Sequence, residues 1–255
     1  QKIPVFFTFD ANYLLAAKVA IHSMMKHASR QYWYELYVFH TTLSPKAQQS
    51  LRNSLKEFTH TELHFIDVTQ YNEKIKNFGT KAHYSKEIFY KLIATDVLPQ
   101  YDRIICSDVD VVFTGDFSPV FFMFPNEKFY YAGVGPVENS RMPYYRKDFS
   151  TTEMEILEHE IAAGFLLINL KELRNDHKQE EIINFYVNNY PRLRLPEQDC
   201  IILTCWPYIK YLPIDYSLPI SFYRLNMNQR DFYQGNTEFA GDKATALAKF
   251  NKGLA

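Results

Sequence analysis

Along the 255-residue chain the repeat of apolar positions changes period several times, and each change marks an element. Ile3-Pro-Val-Phe-Phe-Thr-Phe9 is almost continuously apolar and β-rich, the pattern of a strand covered on both faces. Asp10-Ala-Asn12 breaks it. From residue 13 to 28 the repeat turns helical, with Leu14, Ala17, Ile21 and Met24 on one side. Residues 34–39 read as a second strand. Ser44-Pro45 then opens a helix reaching about Phe58, with an N-cap and a first-turn proline. A third strand over 63–68, a helix over 86–98 and a fourth strand over 103–107 follow. Short strands at 130–134 and 164–170 and a helix at 179–189 complete the pattern. This alternation predicts an α/β fold with a mostly parallel sheet and helices on both faces. No repeat, linker or low-complexity tract interrupts it, so a single domain is expected, near the upper size for one hydrophobic core.

Composition removes several functions. Lys+Arg number 28 against 29 Asp+Glu, for a net charge of −1, which leaves no electrostatic footprint for nucleic acid. The eight glycines admit no G-x-G-x-x-G and no P-loop, so a phosphate ligand must be held by another device. The three cysteines, without a C-x-x-C, read as buried free thiols. No apolar run approaches the ~18 residues of a membrane span. The apolar N-terminal stretch reads as a strand and not as a signal peptide, and a cytoplasmic protein is expected. The basic-apolar stretch 244–255, after Lys243, offers at most peripheral contact with the inner face of a membrane.

In open parallel sheets ligands bind beyond the carboxyl ends of the strands. Two such ends turn abruptly polar: Asp10-Ala-Asn12 and Ser107-Asp108-Val-Asp110. In extended chain the carboxylates of Asp108 and Asp110 point to the same side. Set between Ile104-Ile105 and Val111-Val112-Phe113, they are costly unless protonated, hydrogen-bonded or paired. A hard divalent cation, Mn²⁺ or Mg²⁺, resolves that cost. The plainer reading makes both of them turn or cap residues.

Asp108-Val-Asp110 after a hydrophobic strand resembles the D-x-D motif of nucleotide-sugar glycosyltransferases. Four further segments in order resemble the family 8 retaining enzymes of GT-A fold, which include bacterial lipopolysaccharide glucosyl- and galactosyltransferases. They are Phe7-Thr-Phe-Asp10-Ala-Asn12-Tyr13, Phe89-Tyr-Lys91-Leu92, Gly164-Phe-Leu-Leu-Ile-Asn169-Leu170 and Leu195-Pro-Glu197-Gln198-Asp199. The resemblance covers residues 3 to about 241. It implies a nucleotide-binding half (1–115), an acceptor and sugar half (116–243) and a tail (244–255).

It also implies transfer of glucose or galactose from a UDP-sugar to a glycan or glycolipid acceptor such as lipopolysaccharide, with a divalent metal. Asp10 and Asn12 would hold the uracil and Tyr13 stack on it, with Thr8, Lys91, Asp108, Val109, Gly164, Gly241 and Lys243 around the donor. Asp108, Asp110 and Glu238 would ligate the metal, Glu238 standing where the family has His. Gln198 would position the reacting carbon while Glu197 and Asp199 bind sugar hydroxyls. Lys91 stands where the family usually has Arg, and two departures matter more: Glu238 in place of that His, and Ala163 in place of an Asn that contacts the donor. A catalytically silent sugar-nucleotide binder stays open on those grounds. So does a haloacid-dehalogenase-like phosphatase, which matches Ile104 to Val112 but needs an Asp-Asp pair that the chain lacks.

Overall fold

The computed structural model describes residues 1–76, 85–135 and 147–217. Strands β1 (Lys2–Thr8), β2 (Trp33–His40), β3 (Thr61–Asp67), β4 (Ile104–Ser107), β5 (Tyr131–Val134), β6 (Phe165–Ile168) and β7 (Ile209–Leu212) form one sheet, ordered β3-β2-β1-β4-β6-β5-β7. Every adjacent pair is parallel except those of β6, which runs against both β4 and β5. The sheet is mostly parallel, as the pattern anticipates, and mixed only at β6, and the reversal has a functional consequence. The carboxyl ends of β1, β4 and β5 lie on one edge of the sheet, and β6 begins there instead of ending.

Alternation along each strand divides the apolar side chains between two cores. Phe6, Ile104, Cys106, Leu166 and Ile168 face one side, while Ile3, Val5, Phe7, Ile105 and Leu167 face the other. Helices α1 (Leu14–His27) and α2 (Pro45–Ser54) cover the second side through Ala17, Ala20, Ile21, Met24, Leu51 and their neighbours. After the single-turn helices α3 (Asn72–Ile75) and α4 (Ala94–Val97) and the peripheral α5 (Thr151–Leu157), three further helices cover the first side. These are α6 (Leu170–Asn175), α7 (Lys178–Asn189) and α8 (Pro196–Cys205).

Boundaries follow local chemistry. Asp10 caps a 3-10 turn (Ala11–Tyr13) before α1. Ser44 caps α2 through the Ala47 amide, and the helix stops at Ser54, short of Phe58. Residues 86–98 are not one α-helix: Lys86–Ile93 is 3-10, with no side-chain cap from Ser85, and only Ala94–Val97 is α-helical. Among the described residues no helix is long and apolar enough to cross a membrane.

Candidate active site

The sheet edge where β4 ends and β6 begins gathers the motif residues. Ser107 pairs with Phe165 in the β4–β6 ladder, and the Asp108 amide donates to the Gly164 carbonyl at 2.8 Å, one rung further. The chain then bends. Val109 is buried and anchors the bend, Asp108 is half-buried and Asp110 is exposed. The strand stops before the two aspartates, so the same-side argument from extended geometry does not apply. The Asp110 charge nevertheless acts on Asp108.

Lys91 is the hub. It lies on the buried side of the Lys86–Ile93 segment, with its side chain only 2% exposed. Its Nζ reaches Asp108 Oδ1 at 2.6 Å, Glu197 Oε1 at 3.1 Å and the Ala163 carbonyl at 3.1 Å. One ammonium thus joins three segments far apart in sequence. Burial alone would lower the Lys91 pKa, but the Asp108 and Glu197 carboxylates outweigh it and hold the group protonated, above its ordinary value. Burial pushes the Asp108 carboxyl up, with Lys91 opposing and the Glu197 and Asp110 charges adding.

Gly164 supplies the room. A Cβ built there would stand 3.2 Å from Asp108 Oδ2, tighter than ordinary packing contact, so the position opposite the carboxylate takes only hydrogen without adjustment.

Glu197, Gln198 and Asp199 form the first turn of α8. Pro196 occupies the first helical position, where its missing N–H costs nothing. Asp199 is completely buried, and its Oδ2 accepts from the amides of Arg194 (2.5 Å) and Leu195 (3.0 Å). Those bonds make it a residue that positions the helix start. Gln198 Oε1 accepts from the Ala163 amide at 3.0 Å. The Ala163 peptide therefore serves Lys91 through its carbonyl and Gln198 through its N–H. The sequence reading treated Ala163 as a lost polar contact. Backbone groups carry no residue signature, so only the antiparallel entry of β6 reveals the part they play.

At the neighbouring strand end, Thr8 Oγ1 donates to the Glu87 carbonyl at 2.6 Å, tying β1 to the segment that bears Lys91. Asp10 accepts from the Asn12 amide (2.8 Å), the Asn12 side-chain amide (3.1 Å) and the Tyr13 amide (3.3 Å). Tyr13 is 39% exposed, so its ring is not committed to the core.

The residues of Glyco_transf_8, glycosyl transferase family 8, match the chain over residues 4–240. The chain belongs to that family. This family 8 glycosyltransferase is also similar to solved structures. The bifunctional glycosyltransferase WbbM superposes with a TM-score of 0.78 at 20% identity over 99% of this chain, which spans 44% of WbbM. The galactosyltransferase LgtC, in complex with donor and acceptor sugar analogues, gives 0.71 at 17% identity, covering 98% of this chain and 83% of LgtC. Mouse xyloside xylosyltransferase 1 gives 0.66 at 15% identity, covering 95% and 96%. At these identities the likeness is one of fold, and it is the GT-A-like fold that the motifs led us to expect. Among curated protein sequences none matches.

Enzymes of this family are generally dependent on a divalent metal. Asp108 and Asp110 fit such an ion: both are hard oxygen donors, one with Gly164 clearing the space beside its Oδ2. Among the described residues no group of three or more His, Cys, Asp or Glu converges as a complete ligand set. Glu238, Gly241 and Lys243 lie outside the described residues.

Proposed function

We propose that this family 8 glycosyltransferase moves a hexose, glucose or galactose, from a UDP-sugar to a glycan acceptor of a lipopolysaccharide or surface polysaccharide, with retention of configuration. The observation that carries the reading is Lys91, which draws the D-x-D carboxylate Asp108, the α8 residue Glu197 and the β6 entry into one cluster. LgtC, a structural neighbour, holds donor and acceptor sugar analogues, which supports a sugar donor and a sugar acceptor.

In the reaction the bond between the sugar C1 and the diphosphate oxygen breaks, with its electron pair leaving on the diphosphate. An acceptor hydroxyl oxygen forms the new bond to C1 and gives up its proton to the departing diphosphate oxygen. Asp108, Asp110 and Glu238 would hold Mn²⁺ or Mg²⁺, which when bound supplies charge neutralisation for the leaving diphosphate. Lys243 adds a second positive charge. Asp10 and Asn12 receive the uracil against the exposed Tyr13 ring. Gln198, fixed by the Ala163 amide through Oε1, keeps its Nε2 donors for the sugar. Glu197 meets a sugar hydroxyl from beside Lys91, and Asp199 contributes by holding the turn in place.

The test is a panel of UDP-hexoses with and without Mn²⁺, reading UDP release. Donor-specific release that needs Mn²⁺ and disappears in Asp108→Asn and Asp110→Asn is the expected result. Turnover unchanged in either variant removes the metal assignment, phosphate release in place of UDP points to a phosphatase, and binding without turnover points to a silent module.

A further inference from the structure

The charge of the chain is nearly balanced as a whole but not by region. Residues 11–57 carry Lys18, Lys26, Arg30, Lys46, Arg52 and Lys56 against two glutamates, whereas the rest has 22 basic against 27 acidic residues. Of the two glutamates, Glu35 is buried in β2 and paired with Lys2, so only Glu57 faces outward, beside His22 at 2.7 Å. This stretch builds α1 and α2, which lie side by side on one face of the sheet, linked by Lys18 Nζ donating to Ser50 Oγ at 2.6 Å. Helix α1 contains no acidic residue.

The same surface is apolar where it is most exposed. The inner side of α1 is already used by the core, yet Leu15 (75% exposed) and Val19 (48%) stand one turn apart on its outer side. Val112 (65% exposed) rises beside Val19 from the segment after the D-x-D bend, held to α1 by the Phe113 amide donating to Ser23 Oγ at 3.0 Å. Val19 and Val112 line one open cavity of about 550 Å³ with Lys18, His22, Lys26 and His27. Isolated exposed apolar side chains are ordinary. Three that adjoin inside a cationic frame are the composition of a surface that enters the headgroup layer of a charged bilayer. Of the acidic groups near it, Asp116 accepts from the Ser29 and Ser118 amides and Glu57 is paired with His22, while exposed Asp110, in the bend before residues 112–114, is the proposed metal ligand.

We propose that the outer face of α1, together with the turn at the end of α2 that the His22–Glu57 pair holds beside it and residues 112–114, docks the protein on an anionic lipid bilayer. The surface borders the proposed donor site, since α1 follows directly on Tyr13 and residues 112–114 leave the Asp108–Asp110 bend. A lipid-borne acceptor would then meet the enzyme where the donor is held. Vesicle binding needs no sugar transfer, so the docking surface and the proposed reaction fail independently.

The experiment is co-sedimentation of the purified chain with vesicles of phosphatidylcholine alone and of an equal mixture of phosphatidylcholine and phosphatidylglycerol. Binding is expected only to the anionic vesicles and should weaken with added salt. Lys26→Glu/Lys56→Glu should lose at least roughly 25-fold in binding, about fivefold for each lysine. Leu15→Asp/Val19→Asp should lose roughly tenfold or more. All four residues are exposed or on the outer side of a helix, so circular dichroism and lipid-free UDP release should match the parent. Equal binding to neutral and anionic vesicles, binding to neither, or binding unchanged in both double variants would each overturn the proposal. So would release by soluble polyphosphate combined with full binding of Leu15→Asp/Val19→Asp, which would mark a polyanion site instead.

Discussion

Replacing Lys91 by Met removes one charge and leaves three partners facing the gap. Two of them are carboxylates, Asp108 at 2.6 Å and Glu197 at 3.1 Å, and the third is the Ala163 carbonyl. Breaking a buried ion pair by removing one member costs about 3–5 kcal/mol, because the survivor stays desolvated and unpaired. The side chain of Asp108 keeps 36% exposure and can recover some solvation, while that of Glu197 keeps only 9%. The lower end of the range is therefore expected, about 3 kcal/mol, or a factor of about 150 in the folding equilibrium. Urea denaturation in the presence of EDTA measures it without any contribution from metal. The double variant Lys91→Met/Glu197→Gln removes one of the stranded charges and should recover about 1–2 kcal/mol relative to Lys91→Met. A loss below about 1 kcal/mol in the single variant, or strictly additive effects in the pair, would show that the ammonium does not organise these carboxylates.

Gly164→Ala is the complementary change, small in volume and aimed at one oxygen. The new Cβ at 3.2 Å forces Asp108 to shift by a few tenths of an ångström, so Mn²⁺ activation should weaken by about 10–100-fold with unfolding free energy within about 1 kcal/mol of the parent. A metal titration followed by UDP release reads it, and an unchanged activation constant would count against Asp108 as a ligand. Tyr13→Ala should raise KM for the donor by about 5- to 150-fold, the value of one base–aromatic stack, and leave the melting temperature unchanged because the ring is exposed. Burial lowers the His40 pKa from 6.5, and its Nδ1 is buried without a partner. The folded state then binds fewer protons than the unfolded one, so stability is full above about pH 6.5 and declines as pH falls through the lowered value. Melting temperatures between about pH 7 and pH 5 should fall, and less steeply in His40→Asn.

Strands on this chain were easy to read because those buried on both faces leave long apolar runs, as in β1 and β2. Their direction was not. Phe165-Leu-Leu-Ile168 is apolar at every position, and such a run pairs equally well with a neighbour of either direction. The reversal of β6 is decided by where the preceding segment delivers the chain. Helix α8 is missing from the predicted pattern although its signals are present: Pro196 at the first position, acidic residues in the first turn and an Asp four residues beyond Leu195. Strand β7, four residues with Lys210 and Tyr211 inside it, was too short to stand out. In the site, the charged members of the cluster were legible as residues. Their convergence on Lys91 was not, since the three segments lie 17 to 106 positions apart.

The rung between the Asp108 amide and the Gly164 carbonyl has one more consequence. That amide belongs to the hydrogen-bond ladder of the central strands, so it should exchange its hydrogen with solvent only when the sheet itself opens. Two residues on, Asp110 sits exposed beyond the bend, where small local openings suffice. One carboxylate of the pair is therefore fixed by the most cooperative part of the molecule, and the other is free to adjust to what arrives. An ion or diphosphate would find half of its site preformed and half able to follow it, so binding should slow exchange at the bend far more than in the strand before it.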